Sequence, residues 1–205
     1  MFSKTIDKRW ILWYNILKDN QHLSGGLIMK KLLIVVDMQK DFVDGALGSP
    51  EAQAIVDNVV NKIVNWDGDM VVTFDTHEKD YMQTREGKYL PVPHCIEGTE
   101  GHKLDDKVLM AIAQFNGNVS FINKPTFGSI ALADSLRVEP YDYIELIGLC
   151  TDICVVSNAM CIKATLPEAD IAIDASCCAG VTPASHNAAL TTMKMCQMEI
   201  LNWEG

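Results

Sequence analysis

The stretch Tyr143-Ile-Glu-Leu-Ile-Gly-Leu-Cys-Thr-Asp-Ile-Cys-Val-Val-Ser157 sets Cys154 just after an apolar run, in the first turn of an expected helix. Thr151 and Asp152 are helix-starting residues, because their side-chain oxygens accept hydrogen bonds from free backbone N–H groups. A cysteine there sits at the positive end of the helix dipole, which favours the nucleophilic thiolate. The same unpaired N–H groups can hold a developing oxyanion. The plainer alternative is a small apolar residue on a buried helix face. The ends of three other apolar runs have chemistry of their own. Asp37 closes the apolar run Lys31–Asp37, Asp75 and His77 follow the run Asp69–Phe74, and Lys124 follows Val119–Ile122. Glu86 and His94, further along the same loop as His77, complete a set of mixed oxygen and nitrogen donors. Such a set suits one divalent ion, zinc, iron or manganese, without choosing among them. Glu78, Asp80 and His102 are nearby substitutes for Glu86. The histidines are otherwise read as loop residues holding backbone carbonyls.

The elements that must position these groups alternate between strand and helix. Lys31–Asp37 is a continuous Leu/Ile/Val run, as expected of a strand buried on both faces. Glu51–Trp66 carries Ile55, Val59, Ile63 and Trp66 on one helical face. Asp69–Phe74 is a strand, and residues 75–101 form a long polar loop of the kind usually kept for function. Helices are expected over Leu104–Ala113, Ser129–Leu136 and Thr151–Ala164, and strands over Val119–Ile122, Tyr143–Ile147 and Ala169–Ile173. Thr182-Pro183 opens a last helix running to about Cys196, ahead of a strand at Met198–Leu201. Cys177 and Cys178 are read as following a strand end at Asp174, Cys161 as core, and His186 as a surface or subunit contact. This order implies a single α/β domain: a parallel, Rossmann-like sheet of five to six strands with helices on both faces. Its site belongs at the carboxyl ends of the strands, where Asp37, Asp75, Lys124 and Cys154 all fall.

Composition narrows the partners. Lys and Arg number 17 against 27 Asp and Glu, a net charge of −10 that argues against nucleic acid and anionic membranes. No apolar run reaches the roughly 20 residues of a membrane helix. Seven cysteines, an odd number with an adjacent pair, suit reduced thiols and a cytoplasmic location rather than a disulfide framework.

Residues 1–28 stand apart from this pattern. Trp10, Ile11, Leu12, Trp13, Ile16 and Leu17 give an aromatic, apolar segment interrupted by Asp7, Lys8, Arg9 and Asn15, and Ser24-Gly25-Gly26 separates it from Met29 and the first strand. Codons for Ser-Gly-Gly can spell a purine-rich ribosome-binding sequence ahead of the Met29 codon. The expectation is that residues 29–205 are the domain and residues 1–28 upstream sequence read in frame. The competing reading is an arm that docks on a partner subunit.

Val35-Val-Asp-Met-Gln-Lys-Asp-Phe42, Asn123-Lys-Pro125 and Gly148-Leu-Cys-Thr-Asp-Ile-Cys-Val155 together resemble the isochorismatase-like cysteine hydrolases, and within them the nicotinamidase branch. The resemblance implies a triad of Asp37, Lys124 and Cys154, with an oxyanion hole from the backbone N–H groups of Cys150 and Cys154. It implies a cis peptide bond between Leu149 and Cys150. It implies metal-assisted hydrolysis of nicotinamide to nicotinate and ammonia through a thioester, in a homo-oligomer. The metal set Asp75, His77, Glu86 and His94 is where the resemblance places an ion that binds the pyridine nitrogen.

Substrate contacts are less clearly matched. Phe42 fits a family position that packs on the ring. Tyr89, or else Leu90 or Pro91, takes the place of an aromatic before the Pro-x-His segment. After Lys124 the aromatic on offer is Phe127, and a later family position is Ala131. Two alternatives stand beside nicotinamide hydrolysis: a related cysteine hydrolase acting on another small amide, carbamoyl or ureido substrate, and a non-catalytic small-molecule binding protein.

Overall fold

The computed structural model describes residues 29–204. Both readings of residues 1–28 lie outside the described residues.

Six parallel strands form one sheet: β1 (Lys31–Val36), β2 (Asp69–Asp75), β3 (Val119–Lys124), β4 (Tyr143–Leu149), β5 (Asp170–Ala179) and β6 (Glu199–Leu201). Their order is β3-β2-β1-β4-β5-β6. The helices are α1 (Lys40–Val43), α2 (Pro50–Val64), α3 (Arg85–Tyr89), α4 (Asp106–Ala113), α5 (Ile130–Val138), α6 (Val156–Thr165) and α7 (Pro183–Met195). Winding runs outward from β1 through β2 to β3, then returns to β4 on the other side of β1. That reversal opens a crevice at the carboxyl ends of β1 and β4, the usual seat of a site in such sheets.

Side-chain alternation along β1 feeds two cores. Leu32, Ile34 and Val36 pack with Leu132 and Leu136 of α5, Ile162 of α6 and Leu190 of α7. Leu33 and Val35 pack with Ile55 and Val59 of α2 and Val108 of α4. All five residues are fully buried, which accounts for the unbroken apolar run. Helix starts follow local chemistry. Ser49 caps α2 by accepting from the Ala52 N–H at 3.0 Å, with Pro50 at the first position. Thr182 and Ser185 form a reciprocal capping box on α7.

Three sequence expectations are corrected. Residues 75–101 are not one loop: a 3-10 turn at Tyr81–Gln83 and α3 lie within them. β5 runs on to Ala179, so Cys177 and Cys178 lie inside the strand rather than past its end and are buried in opposite cores. Asp174 misled the reading because it is a buried mid-strand carboxylate. Lys62 reaches it at 2.8 Å and Glu145 at 2.6 Å, while Asn202 and Ser176 donate to Asp174 Oδ1. Lastly, Thr151–Val155 is a π-helical turn and α6 begins only at Val156, so Cys154 precedes the α-helix.

The Lys62 cluster has a signed pH dependence. Burial alone would push the Asp174 carboxyl up, but hydrogen bonds from Asn202, Lys62 and Ser176 hold it below the usual range. The stability it contributes is therefore present above the unfolded-state value, about pH 3.9, and is lost as pH falls through the lowered native one. Lys62→Met strands two buried carboxylates and is expected to cost about 3–5 kcal/mol at pH 7. Urea unfolding at pH 7 and pH 3 should show the gap between variant and parent narrowing on acidification.

Candidate active site

Asp37 lies one residue past β1 with φ 48°, a left-handed conformation that asparagine and aspartate tolerate better than most side chains. It is fully buried. Its Oδ1 accepts from Thr73 Oγ1 at 2.6 Å, and its Oδ2 pairs with Lys124 Nζ at 2.5 Å. Lys124, the last residue of β3, is 1% exposed. Its ammonium also lies 3.4 Å from Cys154 Sγ and 3.5 Å from Asp75 Oδ1. The three residues of the expected triad thus meet in one buried group.

Cys154 reaches this group through an irregular segment. Gly148 has φ 114°, and a Cβ there would lie 2.1 Å from the Val36 carbonyl oxygen, so only glycine fits. The Leu149–Cys150 peptide is cis. In the π turn the Cys150 carbonyl accepts from the N–H groups of Ile153 and Val155, bypassing that of Cys154 between them. Two contacts tie the turn down: Thr151 Oγ1 to His186 Nδ1 at 2.8 Å, and the Asp152 carboxylate accepting from the Val181 N–H at 3.1 Å. His186, partly exposed, thus also supports the nucleophile's turn.

The thiolate expectation is also corrected. Burial holds the Cys154 thiol well above its ordinary value, Asp37 adds to this, and Lys124 only partly opposes it. Burial likewise raises the Asp37 carboxyl against the pull of Lys124. A carboxyl of increased proton affinity beside the thiol suits general-base work by Asp37.

Asp75, His77, Glu86 and His94 come together with one potential ligand atom each, all within 4.8 Å of one another. Glu78 and Asp80 point to solvent, and His102 bonds instead to Thr76 Oγ1 at 2.9 Å. The carbonyl-holding role foreseen for the histidines applies to one nitrogen of one of them: His94 Nδ1 contacts the Val92 carbonyl at 2.8 Å, leaving Nε2 for the cluster. That is the outer contact a metal-binding imidazole usually makes. His77 Nε2 is buried and lies 2.9 Å from Asp75 Oδ2 without an aligned hydrogen bond. Lys124 pairs with Asp37 and Asp75, while Glu86 adds a further carboxylate oxygen to the two imidazoles. Donor types and the orphaned nitrogen fit a divalent metal ion.

A cavity of about 860 Å³ opens onto both groups. Phe42 is 8% exposed, its ring 5.4 Å from that of His94. Tyr89 and Phe127 line the mouth but are 77% and 44% exposed, so neither is packed as a ring clamp. Cys150 also lines the cavity, its thiol pushed up to about 12 by burial.

Other supports carried no motif signal. Tyr81, buried in the otherwise polar loop, sets its ring 4.7 Å from His77 and 5.0 Å from His94, and its hydroxyl donates to the Leu90 carbonyl at 2.9 Å. Asn158, fully buried one turn after Cys154, donates to the Cys154 carbonyl at 2.8 Å and the Phe127 carbonyl at 3.1 Å, and accepts from the Ser129 N–H at 2.9 Å. It joins the nucleophile's turn to the segment after Lys124.

The fold and site define a cysteine hydrolase on a parallel α/β sheet, with a buried Asp–Lys–Cys group beside a metal-type cluster. The chain belongs to the isochorismatase domain family, whose model matches residues 31–205. An isochorismatase family protein of Bacillus subtilis strain 168 is 33% identical over 143 residues, which is 64% of this chain and 78% of that protein. The crystal structure of nicotinamidase/pyrazinamidase from Bacillus subtilis superposes with a TM-score of 0.74 at 30% identity, covering 85% of this chain and 100% of that one. Pyrazinamidase of Pyrococcus horikoshii in complex with zinc gives 0.67 at 25% identity, covering 85% and 99%. The chain is a hydrolase of the amide-cleaving, nicotinamidase-like branch.

Asn158→Leu leaves the Cys154 carbonyl and the Ser129 N–H without their partner. It is expected to lower stability by about 1–3 kcal/mol per stranded group. The check is a lower urea midpoint with an unchanged denaturant slope.

Proposed function

We propose that residues 29–205 form a cysteine amidase that hydrolyses nicotinamide to nicotinate and ammonia. The observation that carries this is the contact of one buried lysine, Lys124, with Asp37, Cys154 and Asp75, which sets the thiol beside the metal-type cluster.

Asp37 takes the proton from the Cys154 thiol as sulfur attacks the amide carbon. Lys124 stabilises the anionic sulfur while the proton is away. The N–H groups of Cys150 and Cys154 receive the oxyanion. Asp37 then passes its proton to the amide nitrogen, the C–N bond breaks and ammonia leaves, with the acyl group held as a thioester on Cys154. Water attacks that thioester as Asp37 accepts its proton. The C–S bond breaks, Asp37 returns the proton to sulfur, and the acid departs and ionises to nicotinate. Asp75, His77, Glu86 and His94 would hold the metal ion, which we take to be zinc. Bound there, it supplies coordination for the pyridine nitrogen and so orients the ring. Phe42 covers one face of the ring, and Tyr89 and Phe127 stand at the mouth.

The test is ammonia release from nicotinamide by purified protein, before and after chelation and zinc add-back. The expected outcome is release that chelation abolishes and zinc restores, and loss of at least about a thousandfold in Cys154→Ala with folding unchanged. Cys154→Ala turning over at the parent rate would refute the nucleophile. No release from zinc-loaded protein whose Cys154 alkylates readily would reject nicotinamide and favour another small amide.

A further inference from the structure

The β1–β2 ladder ends at the pair Val36 and Thr73, with a last hydrogen bond from the Asp37 N–H to the Thr73 carbonyl at 3.2 Å. β2 continues for two more residues, Phe74 and Asp75, paired with β3 on its other side. On the β1 side the Asp75 backbone has therefore lost its strand partner inside a buried region, where an unpaired peptide group is costly. Gln39 takes that partner's place. It is fully buried. Its Oε1 accepts from the Asp75 N–H at 2.7 Å, and its Nε2 donates to the Asp75 carbonyl at 2.9 Å. One primary amide thus reproduces both hydrogen bonds of a ladder rung. The same Nε2 donates to the His102 carbonyl at 2.9 Å, which fixes the chain just ahead of α4.

What Gln39 holds is the residue shared by the two halves of the site. Asp75 Oδ1 faces Lys124 at 3.5 Å, and Asp75 Oδ2 faces His77 at 2.9 Å and His94 at 3.5 Å. Two positions on, Asp41 works on the same cluster from its far side. Asp41 Oδ2 accepts from the Cys95 N–H at 2.7 Å, immediately after His94, where Cys95 has φ 45°. Asp37, Gln39 and Asp41 are alternate residues of one segment, reaching respectively the lysine, the first carboxylate of the metal-type set and the backbone beside its last histidine.

We propose that Gln39 is a positioning residue for metal binding: by completing the ladder at Asp75 it fixes where that carboxylate stands between Lys124 and the two histidines. This rests on the reading of Asp75, His77, Glu86 and His94 as ligands. Gln39 does not line the cavity, and it meets the nucleophile only at one remove, through Asp75 and Lys124.

The experiment measures zinc affinity by competition with a chromophoric chelator for the parent, Gln39→Met and Gln39→Glu, alongside melting with and without zinc. Gln39→Met keeps the length and removes all three hydrogen bonds. Gln39→Glu keeps an acceptor for the Asp75 N–H and loses both donated bonds. The expected result is zinc binding about 10–100-fold weaker in Gln39→Met and a smaller loss in Gln39→Glu, the range seen when outer supports of metal ligands are removed. The zinc-induced rise in melting temperature should shrink in the same order. Asp75 reaches Cys154 only through Lys124, so Cys154 alkylation in the zinc-free variants should change by a smaller factor than the zinc affinity does. Variants that melt lower yet bind zinc as tightly as the parent would overturn the proposal, since Gln39 would then serve packing alone. Should Gln39→Met fail to fold, undiminished zinc affinity in Gln39→Glu overturns it equally. A parent protein that binds no zinc would overturn the ligand reading and this inference with it, an outcome visible before any variant is made.

Discussion

A lysine ammonium taken almost entirely out of water is the constraint on which this site depends. Removing an ion from water costs several kcal/mol even after relaxation, and the cost is met only when opposite charge and hydrogen bonds surround it. Lys124 meets it with Asp37 at 2.5 Å and Asp75 at 3.5 Å. Those contacts require the carboxyl ends of β1, β2 and β3 to lie level, and the sheet register provides this by pairing Asp75 directly with Lys124. The thiol of Cys154, arriving from β4, then finds the ammonium already in place.

The same charge arrangement organises the metal-type cluster. Burial would raise the Asp75 carboxyl, but His77, His94 and Lys124 together hold it well below the usual carboxylate range. It therefore stays an anion with one oxygen directed to each half of the site. Glu86 is different: burial pushes its carboxyl up, with His77 pulling the other way, and it stands at the more open edge of the set. Tyr81 closes the cluster from behind with its ring edge-on to both imidazoles. Rigidity at the back and openness toward the cavity suit a site that must hold an ion firmly and leave one face for a ligand.

Much of this was legible in the sequence, for definite physical reasons. The unbroken apolar run of β1 can only be a strand covered on both sides, and polar residues closing four such runs had to meet at one rim. The donor types of Asp75, His77 and His94 are those of a mixed oxygen and nitrogen set, whereas the choice of Glu86 over Glu78, Asp80 or His102 emerges only from the fold. Other features were hidden because their signals are not local. Asp174 looked like a strand end because its counter-ion, Lys62, is distant in sequence. The raised thiol of Cys154 reflects how deeply the completed fold buries it, whereas a helix-start motif speaks only of nearby N–H groups. Gln39 and Asn158 are ordinary amides in the sequence and become joints only when β2 outruns β1 and the Cys154 turn meets the segment after Lys124. The open setting of Tyr89 and Phe127 likewise depends on how α3 and the Pro125–Gly128 segment frame the cavity mouth.

The central claim is that Cys154, activated by Asp37 beside Lys124, carries the acyl group. The most direct measurement is an acid quench during steady turnover of nicotinamide, followed by intact-mass analysis and peptide mapping of the trapped protein. A nicotinoyl adduct that fragmentation of the peptide places on Cys154, absent in Asp37→Asn, is the result this account predicts. An adduct on Cys150 or Cys95 instead, or sustained turnover with no acyl-protein at any quench time, would contradict it.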